Sequence, residues 1–139
     1  MIQPSERVFV DTGAWIALAI TRDPYHERAR LGWESLLAQG AKIFTSLPVV
    51  LETFTYLDRR GSRELALQWK TSLDSVKRLS ILMLSAAEFE AAWPYLYRKE
   101  FHKLGLVDAT SFALMRKHKI RAALAFDIHF SIAGFRFAS

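Results

Sequence analysis

Four acidic residues occupy positions whose surroundings are apolar. Asp11 follows Val8-Phe9-Val10, Glu52 lies within Pro48-Val49-Val50-Leu51-Glu52-Thr53-Phe54, Asp108 follows Leu106-Val107, and Asp127 follows Leu124-Ala125-Phe126. Carboxylates are rarely buried unless paired, protonated or bound to a metal, so four at core-like addresses point to one shared site. The chain has no cysteine and four scattered histidines, which leaves hard oxygens as donors, the set that suits Mg2+ or Mn2+. A metal held by carboxylates and water binds a phosphodiester oxygen, lowers the pKa of an attacking water and neutralises the leaving oxygen. The chemistry indicated is phosphodiester hydrolysis, with Asp11, Glu52, Asp108 and Asp127 as its carriers.

Singly, each acid has an ordinary role. Asp11 suits a turn that caps a helix, Glu52 a solvated helix face, Asp108 a first helical turn favoured by the dipole, and Asp127 the start of a turn. Four such coincidences together are harder to accept than one site. Bare, the four would repel, since like charges ~4 Å apart at an effective dielectric of about 20 cost on the order of 4 kcal/mol per pair. Protonation or a divalent cation must relieve that.

The elements that must position these acids alternate between strand and helix. Residues 7–10 read as a buried strand ended by Asp11-Thr12-Gly13, and residues 14–20 as a short helix. A helix over 25–38 stops at Gly40, residues 42–45 form a second strand, and Ser46 caps a helix over about 48–60. Ser62 opens a helix to about 75, and residues 79–84 give a third strand. Ser85-Ala86-Ala87-Glu88 has the capping-box pattern and begins a helix to about 98. Residues 107–117 form a helix with Asp108 in its first turn, residues 122–126 a fourth strand, and residues 135–137 a short fifth. The expected fold class is α/β: a three-layer α/β/α sandwich around a mainly parallel twisted sheet of four to five strands. Ligand sites in such sheets form at the carboxyl ends of the strands, where strand order reverses, and both Asp11 and Asp127 fall at such ends.

At 139 residues, 51% hydrophobic and 24% charged, the chain is expected to be one globular domain over 1–139. No apolar run approaches the ~20 residues that span a bilayer. The first residues, Met1-Ile2-Gln3-Pro4-Ser5-Glu6-Arg7, lack the pattern of a signal peptide, and with zero Cys this favours a cytoplasmic setting. Nineteen Lys and Arg against fourteen Asp and Glu give a formal charge of +5, so a polyanion such as RNA or DNA is the natural partner, although many modestly basic proteins bind neither.

The four blocks, in this order, resemble the PIN-domain ribonucleases, and especially the VapC-like toxins of prokaryotic toxin-antitoxin pairs. The carriers are Val8-Phe9-Val10-Asp11-Thr12-Gly13-Ala14-Trp15, Thr45-Ser46-Leu47-Pro48-Val49-Val50-Leu51-Glu52-Thr53, Leu106-Val107-Asp108-Ala109-Thr110-Ser111-Phe112-Ala113, and Ala125-Phe126-Asp127-Ile128-His129-Phe130 with Gly134-Phe135. The resemblance implies a Mg2+- or Mn2+-dependent endoribonuclease, usually homodimeric and inhibited by an antitoxin. It implies that Asp11, Glu52, Asp108 and Asp127 bind metal directly or through water, with the hydroxyls of Thr12 and Ser111 orienting ligands or water. Many relatives carry Ser or Thr two residues before the last acid and a basic residue after it, where this chain has Ala125 and Ile128. Two other readings stand beside it. One is a noncatalytic PIN-like domain that binds RNA or protein. The other is a different Mg2+-dependent phosphohydrolase, which would want a second acid two residues after Asp11, where Gly13 stands.

Two basic clusters flank the Asp108 helix: Arg98, Lys99, His102 and Lys103, and Arg116, Lys117, His118, Lys119 and Arg121. Both suit RNA phosphates or a solvated face. His129 reads as structural. Trp15 reads as core, while Trp33, Trp69, Trp93, Tyr56, Tyr95 and Tyr97 lie on helices whose exposed aromatics would serve an interface, including an antitoxin peptide whose Arg or Lys reaches the acidic pocket.

Overall fold

The computed structural model describes residues 6–138, so the signal-peptide reading rests largely on residues 1–5, outside the described part. The elements run β1 (Arg7–Val10), α1 (Thr12–Ala19), α2 (His26–Ala38), β2 (Lys42–Ser46), α3 (Leu47–Tyr56), α4 (Arg63–Asp74), β3 (Leu79–Leu82), α5 (Ala86–Tyr97), α6 (Leu106–Lys117), β4 (Ala122–Leu124), α7 (His129–Ile132) and β5 (Arg136–Phe137). All strand pairings are parallel, in the order β3-β2-β1-β4-β5. Parallel strands covered by helices read as continuous apolar runs, and Val8, Phe9, Val10, Ala122 and Ala123 are fully buried.

This order places a switch point at the centre. From β1 the chain moves outward through β2 to β3, then returns to the other side of β1 for β4 and β5. Right-handed crossovers put the connections of the two halves on opposite faces, so a crevice opens at the carboxyl ends of β1 and β4. Gly32 shows how tightly one layer sits: a Cβ there would come within 2.8 Å of Leu124 Cδ1, so α2 lies directly on β4.

Most expected elements are present, and the departures have local causes. The helix expected over 48–60 is α3 followed by a π turn over Leu57–Gly61, where the widened ladder lets the chain leave toward Ser62. Ser46 and Ser62 cap α3 and α4 through their hydroxyls, accepting the N–H groups of Val49 and Leu65 at 3.2 and 3.0 Å. Ser85 does not cap in that sense: its hydroxyl donates to Glu88 Oε1 at 2.5 Å. β3 and β4 end at Leu82 and Leu124, two residues earlier than expected, because β3 pairs only with β2 and β4 only with β1 and β5 over those residues. Among the described residues no helix is long and apolar enough to cross a membrane.

Candidate active site

Asp11 is set by the sheet. Its backbone N–H donates to Leu124 O at 3.1 Å, extending the β1–β4 ladder by one residue, and its own carbonyl accepts from Ala14 and Trp15 to start α1. A buried chain from Trp15 Nε1 to Thr45 Oγ1 (3.1 Å) and from that hydroxyl to Val10 O (2.9 Å) fixes the same strand end from the β2 side. Glu52 lies on α3, which begins directly after β2, and Asp108 lies in the first turn of α6. Asp127 follows β4 in a tight turn, where its Oδ1 accepts the backbone N–H of His129 at 2.9 Å and opens α7.

These placements bring Asp11, Glu52, Asp108 and Asp127 to one pocket of about 500 Å³, which Thr12 also lines. Ser111 is fully buried one turn after Asp108, does not line the pocket, and donates its hydroxyl to Val107 O at 3.2 Å. Asp23, Tyr25, Tyr56 and Phe126 line the pocket too, a role that nothing in their sequence contexts signals. Asp23-Pro24 carries a turn signal, and the Tyr25 and Tyr56 rings look like helix-face aromatics, so the chain's local pattern offered no sign of a shared wall.

The electrostatics are those of crowded carboxylates. Burial pushes the Asp11 carboxyl well above its ordinary value, and Asp108, Glu52 and Asp127 add to the push, against a hydrogen bond from the Thr12 backbone. Asp108 is raised to about 7, first by burial, then by the charges of Asp127 and Glu52 and a hydrogen bond with Asp127, while His129 pulls it down. Asp11 Oδ1 and Thr12 Oγ1 are buried with no hydrogen-bond partner. Two orphaned oxygens among repelling carboxylates fit a hard divalent cation in donor type and in charge. Among the described residues no three acidic or imidazole side chains are already drawn close enough to hold an ion as they stand.

Beside Asp127, His129 bridges to the loop of the first basic cluster. Its Nδ1 is 2.8 Å from Asp127 Oδ1, and its Nε2 is 3.0 Å from His102 O. The second cluster is partly committed to structure. Arg116 reaches Tyr95 and the Ala133 carbonyl, and Lys117 pairs with buried Glu88 at 3.3 Å. Elsewhere Trp33 and Trp69 each pack against Trp15, with centroids 5.3 and 6.1 Å from it, around an apolar cleft of about 710 Å³ between α1, α2 and α4.

A family model described as "PIN domain" matches residues 8–136. The chain is 40% identical to the "23S rRNA-specific endonuclease VapC20" of Mycobacterium tuberculosis over 129 residues, covering 92% of this chain and 95% of the relative. The crystal structure of M. tuberculosis VapC20, described as a "Sarcin-Ricin loop cleaving toxin", aligns with a TM-score of 0.79 at 36% identity over 92% of this chain and 95% of that one. A structure of VapBC2 from Rickettsia felis aligns with a TM-score of 0.69 at 15% identity and covers 94% of this chain and 96% of its own; at that identity it shows the fold alone. The five-stranded parallel sheet, the acids at its switch point and these similarities agree, and the chain belongs to the PIN-domain family as a relative of the VapC toxins.

Proposed function

We propose that this protein is a Mg2+- or Mn2+-dependent endoribonuclease, the toxin of a toxin-antitoxin pair, acting on ribosomal RNA. The observation that carries the chemistry is the convergence of Asp11, Glu52, Asp108 and Asp127 on one pocket where burial and mutual repulsion lift the Asp11 and Asp108 carboxyls. The same negative field that favours a proton there favours a cation. The choice of ribosomal RNA rests on the 40% identity to an enzyme specific for 23S rRNA.

In this reading the four carboxylates hold the ion, with the free oxygens of Asp11 and Thr12 available to it or to its water. Bound there, a divalent ion supplies Lewis acidity to a phosphate oxygen and a water of lowered pKa. His129 holds Asp127 through its backbone N–H and ties that turn to the His102 carbonyl. The exposed Lys99 and Lys103 of the adjoining loop attract the phosphate backbone toward the pocket. Ser111, bonded within its own helix, supports the Asp108 turn.

The family match over residues 8–136 supports a single domain, and the cytoplasm is the proposed setting. The apolar cleft beside Trp15, Trp33 and Trp69 is the proposed seat of the antitoxin. The exposed stripe of Phe89, Trp93 and Tyr97, four residues apart along α5, is the proposed contact for a second copy. Purified protein incubated with ribosomal RNA tests the central claim. Discrete cleavage that requires added Mg2+ or Mn2+ and vanishes in Asp11→Asn supports it, and intact RNA under those conditions overturns it.

A further inference from the structure

An aromatic stack stands at the rim of the carboxylate pocket. The Tyr25 ring lies flat on Phe126, with centroids 4.7 Å apart and planes 7° from parallel. The Arg28 guanidinium carbon is 5.6 Å from the centroid of Tyr25 and 5.2 Å from that of Phe126. Both rings line the pocket that holds Asp11, Glu52, Asp108 and Asp127. Tyr25 is nonetheless 44% exposed, so solvent reaches what the Phe126 stack leaves uncovered.

The ring is held by backbone rather than by burial. The Tyr25 N–H donates to Asp23 Oδ1 at 2.8 Å, and its carbonyl accepts the Ala29 N–H at 2.9 Å, so the residue is pinned in the turn before α2. Folding gains little from leaving such a ring in water. A preformed flat π surface, partly open to solvent and with a guanidinium beside it, matches an unpaired nucleobase, which offers a free face, whereas a base inside a duplex is already stacked on both sides.

We propose that Tyr25, backed by Phe126 and flanked by Arg28, is a base-stacking platform that seats an unpaired nucleotide beside the carboxylates. The proposal rests on the endoribonuclease reading and adds to it the side chain that seats the base. Tyr25 is a positioning residue: it holds a base so that the neighbouring phosphate meets the pocket, and the ring alone is needed for this.

A short single-stranded RNA carrying 2-aminopurine, titrated with wild-type protein in EDTA at low salt, reads stacking without cleavage, because the fluorescence falls when the base stacks. Wild type and Tyr25→Phe quench the signal, whereas Tyr25→Leu, which keeps an apolar side chain without a π face, binds about tenfold more weakly and quenches little. The same probe locked in a duplex is not quenched further by any of them. In parallel cleavage assays with Mg2+, Tyr25→Leu raises KM and leaves kcat near wild type. Absent quenching by wild type, equal quenching by Tyr25→Leu, or equal affinity for single strand and duplex overturns the platform, even where the wild type cleaves RNA normally. A wild type that never cleaves RNA, yet whose quenching is lost in Tyr25→Leu, overturns the endonuclease reading and leaves the platform standing.

Discussion

The backbone N–H of Asp11 donates to the carbonyl oxygen of Leu124 at 3.1 Å, which locks the first acid of the site to the end of the neighbouring strand. The bond needs the two strand ends side by side, as the β1–β4 pairing of Val10 with Leu124 makes them. Through it, the position of Asp11 is decided by residues more than a hundred places away, and the site acquires a rigid reference at the centre of the sheet.

Replacing Asp11 by Asn keeps side-chain volume and removes a charge from the most crowded point. Cleavage of RNA falls by more than about 100-fold, since even residues outside the direct ligand set of a metal cost ~10- to 100-fold when lost. The fold survives. In metal-free buffer near neutral pH the variant melts higher than wild type, because a buried carboxyl whose charge is disfavoured has gone. Calorimetric melting alongside a cleavage assay checks both halves.

Metal-free stability falls as pH rises from about 4 toward and beyond 7. Asp108 has a folded pKa of about 7, above its unfolded value, so the folded state binds more protons than the unfolded one across that window. Its contribution is fully present below the unfolded pKa and is lost as pH passes through the folded one. Asp11, also raised, acts in the same direction. Asp108→Asn flattens the slope, which melting temperatures measured in EDTA at successive pH values will show.

Mg2+ or Mn2+ raises the melting temperature of the wild type, since a ligand that binds only the folded state at ~100 times its Kd contributes about 2.7 kcal/mol. The double variant Glu52→Gln with Asp108→Asn shows much less of this shift. Equal shifts in the two proteins would exclude a shared site.

Thr45→Val tests the buried chain behind the site. The hydroxyl accepts from Trp15 Nε1 and donates to Val10 O. A methyl in its place leaves both partners unsatisfied in the core and costs about 1–3 kcal/mol, read as a lowered urea midpoint with unchanged slope.

RNA affinity falls steeply with salt, and removing Lys99 and Lys103 together reduces the slope of log K against log salt by roughly two. An unchanged slope would separate this loop from the phosphate track.

The four acids were legible because each follows or interrupts an apolar run, and a local run of that kind marks a buried strand or helix end wherever it sits. The strands and the serine caps of α3 and α4 were legible for the same reason, being written in neighbouring residues. The tertiary structure alone decided which side chains share a wall. It brought Asp23, Tyr25, Tyr56 and Phe126 to the pocket and turned Ser111 back onto its own helix. It also ended β4 at Leu124, so that Asp127 sits in a turn held by His129. Such outcomes depend on the order β3-β2-β1-β4-β5, which is set by pairings between segments far apart in the chain. Side-chain periodicity tells which face is buried, and the choice of neighbouring strand is made by the collective packing of both helical layers.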